Sequence, residues 1–577
     1  LESRDGEVSI DGVQWSYRSC FTRRYLHPQI DTRLNVQLKY PYIKGLPMDD
    51  QSNLNSPKTI AIGSKLELLI DDYLIGSMKD VSFVLHQPVP REIAMVHDAT
   101  WEGGACAYHS VFRDGDRFRM YYRASPWRPG GFSHAVTCCA ESSDGIKWER
   151  PDFGLFEFND SLENNIILAP PLGLDSGRQI DDFTVFKDLN PEAPDSQRYK
   201  AICNVNWRTW GGGIWAFISA DGVHWEKLRE KPVLLDGKEY DGPQGPAFWD
   251  PYRGEYHAYL RAWVTNNGEE LSKLGSKSVA AAEKKGLKDV RDLALFNNEP
   301  KPKDLNQDMR VDPYGGVSAF RTVRHSTSDN FVNWSQPALL EFDTHLSMDE
   351  QLYTNTIQPY FRAPHIYIGL PKRFSPFRKK ILKHPHMGIS DGGFMSSRDG
   401  THWKLWREAF IRPGLDQKNW IDRNTSPACG ILETGFGEMS LYWTEHYNDD
   451  VCRVRRGTLR TDGFVSVRAG YDHGEIVTKP LTFEGQELFI NYSTSAFGSV
   501  QVELQDGLGS ALTGYTLSQC RMIYGDDIEY KVCWDDGADV STLAGKPIRL
   551  RFILKDADLY SFKFGPFSSN DKCFGRT

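Results

Sequence analysis

Acidic residues stand just ahead of a series of short apolar stretches, and arginines close the stretch that follows. The acids are Asp98 and Glu102 in VHDATWEGG, Asp181 and Asp182 in QIDDFTVF, Glu239 and Asp241 in KEYDGPQG with Gln244 beside them, and Asp349 and Glu350 in MDEQLYTN. A fifth group is Asp422, Arg423 and Asn424. Arg123 ends RMYYRA, Arg208 follows CNVNW, Arg261 lies in AYLRAW and Arg373 in GLPKRF, with Glu445 at the fifth such place, in YWTEHY. Two carboxyl groups flanking an acetal can serve as acid and as base or nucleophile, the requirement for hydrolysing a glycosidic bond. Crowding and burial hold one of such a group protonated near neutral pH. Arginine offers a planar fork that fits a carboxylate or sulfate, so several on one rim would make an anion-binding cup. If each instead faces an acid, they only neutralise the site. Trp101, Trp127, Trp207, Trp210, Trp263, Tyr353 and Tyr360 lie near the same loop ends, as sugar-stacking faces or as ordinary core.

What positions these residues is a repeat. SSDGIKW at 142–148 returns as SADGVHW at 219–225, as SSRDGTHW at 396–403 and, more loosely, as STSDNFVNW at 326–334. RTDGFVSV at 460–467 keeps Asp462 and Gly463 and loses the tryptophan. The aspartates fall at 144, 221, 329, 399 and 462, and the one long gap contains a lysine-rich, strand-poor segment at 266–304 that reads as an insertion. Between the turns come an apolar strand, a polar turn, a second strand and a third ending near the serine, as in YHSVFRDGDRFRMYYRA. Four short strands per unit, repeated five times, predict an all-β five-bladed β-propeller over 64–470. The aspartate bonds the backbone of its own turn, glycine supplies positive φ and tryptophan packs between blades, so the motif itself is structural. SKLELLIDDYLIGSMKDVSFVLHQPV, 64–89, reads as strands leading into the propeller, and 1–63 as an N-terminal extension without periodicity. From 471 to 577 the motif stops and alternating strands predict a β-sandwich.

With 577 residues and a net charge of −9, the chain is long enough for several cores and poorly matched to nucleic acid or an anionic membrane. No apolar run is long enough to span a bilayer. The ten cysteines include no CxxC pair, and His97, His109 and His134 show no metal-binding spacing, so no metal or other cofactor is expected, with a structural calcium left open. The chain starts at Leu1 without a methionine, and a secreted or periplasmic location is the expectation.

The blades, the Asp-Gly/Trp turns and the trailing sandwich together resemble the glycoside hydrolases with five-bladed propellers, families 32, 43 and 68. The resemblance is strongest to the bacterial family 32-like proteins, through HDATWEGG, AESSDGIKWERPDFGLFEF, LYTNTIQPYFRAP and LRTDGFVSVRAG. The NDPNG, RDP and EC signatures of invertase-type members are absent, which argues against fructan hydrolysis. In such propellers the first strand of each blade starts at the ligand face and the second ends there. The resemblance implies a base at Asp98 or Glu102, a pKa-modulating Asp182 and an acid at Asp241 or Glu239, with Glu350 as a further candidate. Arg123, Arg208, Arg261, Arg373, Arg423, Gln244, Tyr353 and Trp101 would then bind substrate. The expectation is an exo-acting glycoside hydrolase on an anionic sugar, whether uronate, sulfated or sialic-like. The alternatives are a non-catalytic carbohydrate-binding propeller and a polysaccharide lyase that uses Tyr353 with Arg373, or His97, as base.

Overall fold

The computed structural model describes residues 59–125, 127–128, 131–132, 135–169, 180–205, 213–234, 245–265, 319–346, 350–376, 378–384, 388–535 and 537–567, with the hairpin strands at 6–10 and 13–17. The chain divides into two compact units, 1–48 and 49–577. In the first, Gly6–Ile10 pairs antiparallel with Val13–Tyr17. The 266–304 insertion and most of the N-terminal extension lie outside the described residues.

Unit two is an all-β propeller joined to a β-sandwich. Sheet one is built from Ala107–Asp114, Arg117–Ala124, Val136–Ser142 and Ile166–Leu168. Sheet two is Ile180–Lys187, Tyr199–Val205, Ile214–Ser219 and Glu226–Lys227. Sheet three is Ala247–Asp250, Glu255–Thr265, Ala319–Ser328 and Ala338–Leu339. Sheet four runs Gln358–Tyr360, Ala363–Gly369, Ile389–Ser397 and His402–Ile411, with Gln351–Thr354 and Lys372–Ser375 added as an antiparallel hairpin. Sheet five holds Ser426–Pro427, Leu432–Gly435, Glu438–Glu445 and Arg453–Arg460, and its outer strand is Val89–Val96, the earliest propeller strand in the chain. A strand from the beginning thus closes a ring at its end.

The turn motif works as its chemistry dictates. Asp144 Oδ1 accepts from the amides of Ile146 and Lys147, Asp221 Oδ1 from those of Val223 and His224, and Asp399 Oδ1 from those of Thr401 and His402. The carbonyls of these turns then stitch the ring. Tyr121 of sheet one donates to Gly222 O at 3.0 Å, Tyr259 of sheet three donates to Gly400 O at 3.1 Å, and Tyr442 of sheet five donates to Gly145 O. In the looser copy the register differs from the expectation: Asn330, not Asp329, accepts from the amides of Val332 and Asn333. Phe331 takes the left-handed glycine position at φ 63°. The neighbouring sheet offers Ile202 there in place of a tyrosine, and Phe331 packs in one apolar cluster with Ile202 and Phe186.

The sandwich departs from the expected division. Ile60–Gly63, Glu67–Leu68, Ile75–Lys79 and Val81–Leu85 do not lead into the propeller. They pair with Leu481–Phe483, Ile548–Gly565, Gly474–Thr478 and Val465–Ala469 in one ten-stranded sheet. The fifth copy of the motif sits at the joint. Asp462, fully buried at φ 62°, accepts from Tyr360 Oη at 2.7 Å and Arg362 Nε at 3.0 Å on sheet four. It also accepts from Asn491 Nδ2 at 3.1 Å and Ser561 Oγ at 2.9 Å in the sandwich. One carboxylate therefore ties the two layers together.

Candidate functional site

Four of the five sheets begin their innermost strand with a non-glycine residue in the left-handed region: Tyr108 at φ 60°, Asp182 at 61°, Thr356 at 44° and Thr425 at 52°. The strand pairing slips at two of these places, between Ala107 and Ser110 and between Asp181 and Thr184. Such bulges bend a strand and re-aim its side chains, and they cost free energy that the surrounding fold must offset. All four lie at the same end of the propeller.

Cationic side chains from four sheets converge there, three of them on the half-buried ring of Tyr353. Lys372 Nζ stands 3.9 Å from the ring centroid, and the guanidinium carbons of Arg261 and Arg321 stand 4.4 Å and 4.8 Å away. Arg261 also donates to Tyr353 O at 2.8 Å, and Arg321 to Gln351 Oε1 at 2.6 Å while stacking 4.2 Å over Trp263. Arg423 pairs with Asp422 at 3.2 Å and approaches Tyr447. Arg123 donates to Tyr447 Oη at 2.9 Å and to Ala105 O at 3.0 Å, with its guanidinium 4.6 Å over Tyr108. Burial alone would raise the Tyr353 phenol, but Arg423, Arg261 and Arg321 outweigh it and hold the phenol below its ordinary value. Burial, reinforced by Arg423 and Arg261, pushes the Lys372 ammonium well below its ordinary value. A site with this field favours an anion.

The sequence-derived candidates divide. Arg123, Arg261, Tyr353 and Arg423 stand in the cluster. Asp182 occupies the bulge of sheet two and is buried. Arg373 points elsewhere: it forks onto Asp391 at 2.8 Å through both Nε and Nη2 and reaches Glu350 at 3.4 Å. Glu350 is also held by Arg407 at 2.6 Å, so this arginine and this acid neutralise one another's neighbours in an ion network. The cation aimed at Tyr353 is Lys372, one residue earlier; alternation along a strand sends consecutive side chains to opposite faces.

Glu102 is sealed rather than presented to a substrate, with no side-chain exposure. It accepts from Tyr122 Oη at 2.6 Å, Arg150 Nη2 at 2.7 Å and the Ala99 amide at 3.1 Å, and it contacts His97 Nδ1 at 3.2 Å. Burial opposes ionisation, but His97 and Arg150 prevail and draw its carboxyl down to about 2, which removes it as a proton donor. Asp98 is 63 % exposed beside Arg150. Trp101 Nε1 donates to Asn165 at 2.9 Å, a loop-holding contact. Asp241, Glu239, Gln244, Arg208 and Asp349 lie outside the described residues.

Arg321, Lys372, Tyr108 and Tyr447 join the cluster without having been singled out. Arg321 had a readable signal: it opens the third strand of its sheet, and third strands start at the end where second strands finish.

No family model matches the sequence, and no curated protein matches it. Solved structures resemble parts of it at low similarity. A glycoside hydrolase is 14 % identical with a TM-score of 0.41, over 65 % of this chain and 92 % of that one. An N-acetylgalactosamine deacetylase from F. plautii, in complex with blood group B trisaccharide, is 12 % identical with a TM-score of 0.40, over 67 % and 97 %. A glycoside hydrolase family 43 arabinoxylan arabinofuranohydrolase from Bacillus subtilis is 10 % identical with a TM-score of 0.36, over 83 % and 99 %. At this similarity no activity transfers from any of them.

Proposed function

We propose that the chain is an exo-acting glycoside hydrolase for an anionic sugar, bound at the axial end of the propeller where the first strands begin. The observation that supports this is the set of five cations, Arg123, Arg261, Arg321, Lys372 and Arg423, gathered around Tyr353, Tyr447 and Tyr108. Within that set Asp422 pairs with Arg423. Guanidinium forks would seat a carboxylate or sulfate. Asp182, with Asp98 and Asp241, remains the candidate acid and base or nucleophile on either side of the scissile bond.

A second reading, a polysaccharide lyase, is favoured by one observation: the depressed phenol of Tyr353. Its arginine neighbours would neutralise a uronate carboxylate and acidify the adjacent carbon–hydrogen bond. A Tyr353 phenolate would take that proton, and the glycosidic oxygen would leave as the double bond forms.

One assay separates these readings. Uronate-containing, sulfated, sialylated and neutral oligosaccharides are incubated with the protein, and reducing ends and ultraviolet absorbance are followed together. New reducing ends without absorbance on an anionic substrate support hydrolysis, and both signals together indicate elimination. Turnover of neutral sugars alone would refute the anionic assignment. Binding of anionic sugars without either signal would show a non-catalytic carbohydrate-binding propeller.

A further inference from the structure

The ring closes between sheets five and one, and a second cluster lies in that seam, away from the cations. His97 follows the closing strand Val89–Val96, and its amide donates to Cys452 O at 2.9 Å. Cys452 immediately precedes Arg453–Arg460, and Cys106 immediately precedes Ala107–Asp114, in which His109 lies. A ring nitrogen of His97 and the sulfurs of Cys106 and Cys452 all lie within 4.8 Å of one another. His97, Cys106 and Cys452 have no exposed surface, and His109 is 2 % exposed. Both cysteines are free thiols.

We propose that this cluster is a structural site for a thiophilic divalent ion of the zinc class, bound by Cys106, Cys452, His97 and His109. The imidazoles support it first. Their Nε2 atoms face each other at 3.0 Å. Two nitrogens bound to one tetrahedral zinc at about 2.0–2.1 Å would lie roughly 3.3 Å apart. His97 turns its other nitrogen, Nδ1, to Glu102, itself anchored by Arg150 and Tyr122. A carboxylate behind a histidine ligand is the arrangement that fixes the ring's orientation and raises its basicity. Charge also balances: two thiolates cancel a divalent ion, and Glu102 is cancelled by Arg150. All four side chains are buried, so its work is to clamp the ring where the first and last sheets meet.

The test uses the whole protein. As purified, or after exposure to zinc and removal of excess, it should carry about one equivalent of zinc. Cobalt in its place should give the near-ultraviolet sulfur-to-metal absorption of a thiolate site. Cys106→Ser and Cys452→Ser should each lose the bound metal, and His109→Gln should weaken it at least about tenfold. The cobalt spectrum is read on the unaltered protein and so stands even if a variant fails to fold. Absence of bound zinc and of that absorption after reconstitution would overturn the site. Recovery of Cys106 and Cys452 as one disulfide-linked peptide would overturn it too.

Discussion

Replacing Asp462 should loosen the protein more than any surface aspartate. Asp462→Ala removes the acceptor shared by Tyr360, Arg362, Asn491 and Ser561, and places a side chain that resists positive φ at φ 62°. Deleting one partner of a buried ion pair costs about 3–5 kcal/mol, and the stranded neutral donors would add to it. Arg362, with 21 % of its side chain exposed, can turn towards water and recover part of this. About 4–6 kcal/mol is therefore expected. Unfolding entropy of about 2.1 cal/mol/K per residue gives roughly 1 kcal/mol/K for a cooperative unit of about 500 residues, so the melting midpoint should fall about 4–6 °C. Asp462→Asn keeps the shape and the tolerance for positive φ while losing the charge, and should fall by about half as much. The assay is thermal unfolding at one scan rate, followed by near-ultraviolet circular dichroism. A fall below about 1 °C for the alanine variant, or equal falls for both, would refute the claim that this carboxylate joins the layers.

Other consequences can be checked as directly. Arg423→Ala should raise KM for an anionic sugar roughly 10- to 100-fold, as loss of one charge-assisted contact does, and leave a neutral analogue unchanged. Gly222→Ala puts a Cβ 2.5 Å from Tyr121 Oη at φ 80° and should cost about 2–3 kcal/mol in urea unfolding, where Tyr121→Phe should cost about 1 kcal/mol. Burial and its neighbour His257 hold His325 down to about 3, so between there and 6.5 the unfolded chain binds a proton that the folded one does not. Its contribution is complete above pH 6.5 and is lost as pH falls towards 3; His325→Gln should flatten stability against pH in that window, read as denaturation midpoints.

Local chemistry was the legible part of this chain. An aspartate that bonds its own turn and a glycine at positive φ act within a few residues, so the repeat, the all-β fold and the strand ends could be read directly. Asn330 and Phe331 escaped because a side-chain amide and a strained aromatic did the same work with different letters. The pairing of Val89–Val96 with sheet five, and of 60–85 with the sandwich, depends on partners several hundred residues away, on which nothing local bears. Arg373 and Lys372 exchanged places because a strand's two faces alternate, and the wrong face was chosen by one residue. Cys106 and Cys452 illustrate the same gap in the seam: their nearness is created by ring closure, and no spacing rule contains it.

The ten-stranded sheet also sets a timetable. The strands between Ile60 and Leu85 are made long before all the partners they have in that sheet, which lie between Val465 and Gly565. At 5–20 residues per second, roughly 20–75 s separate the synthesis of Leu85 from that of Val465. Through that interval the apolar edges of the early strands wait unpaired, a state prone to pairing with other chains. Completion of the sandwich therefore waits for strands made some 380 residues later, and the early strands need shelter until then.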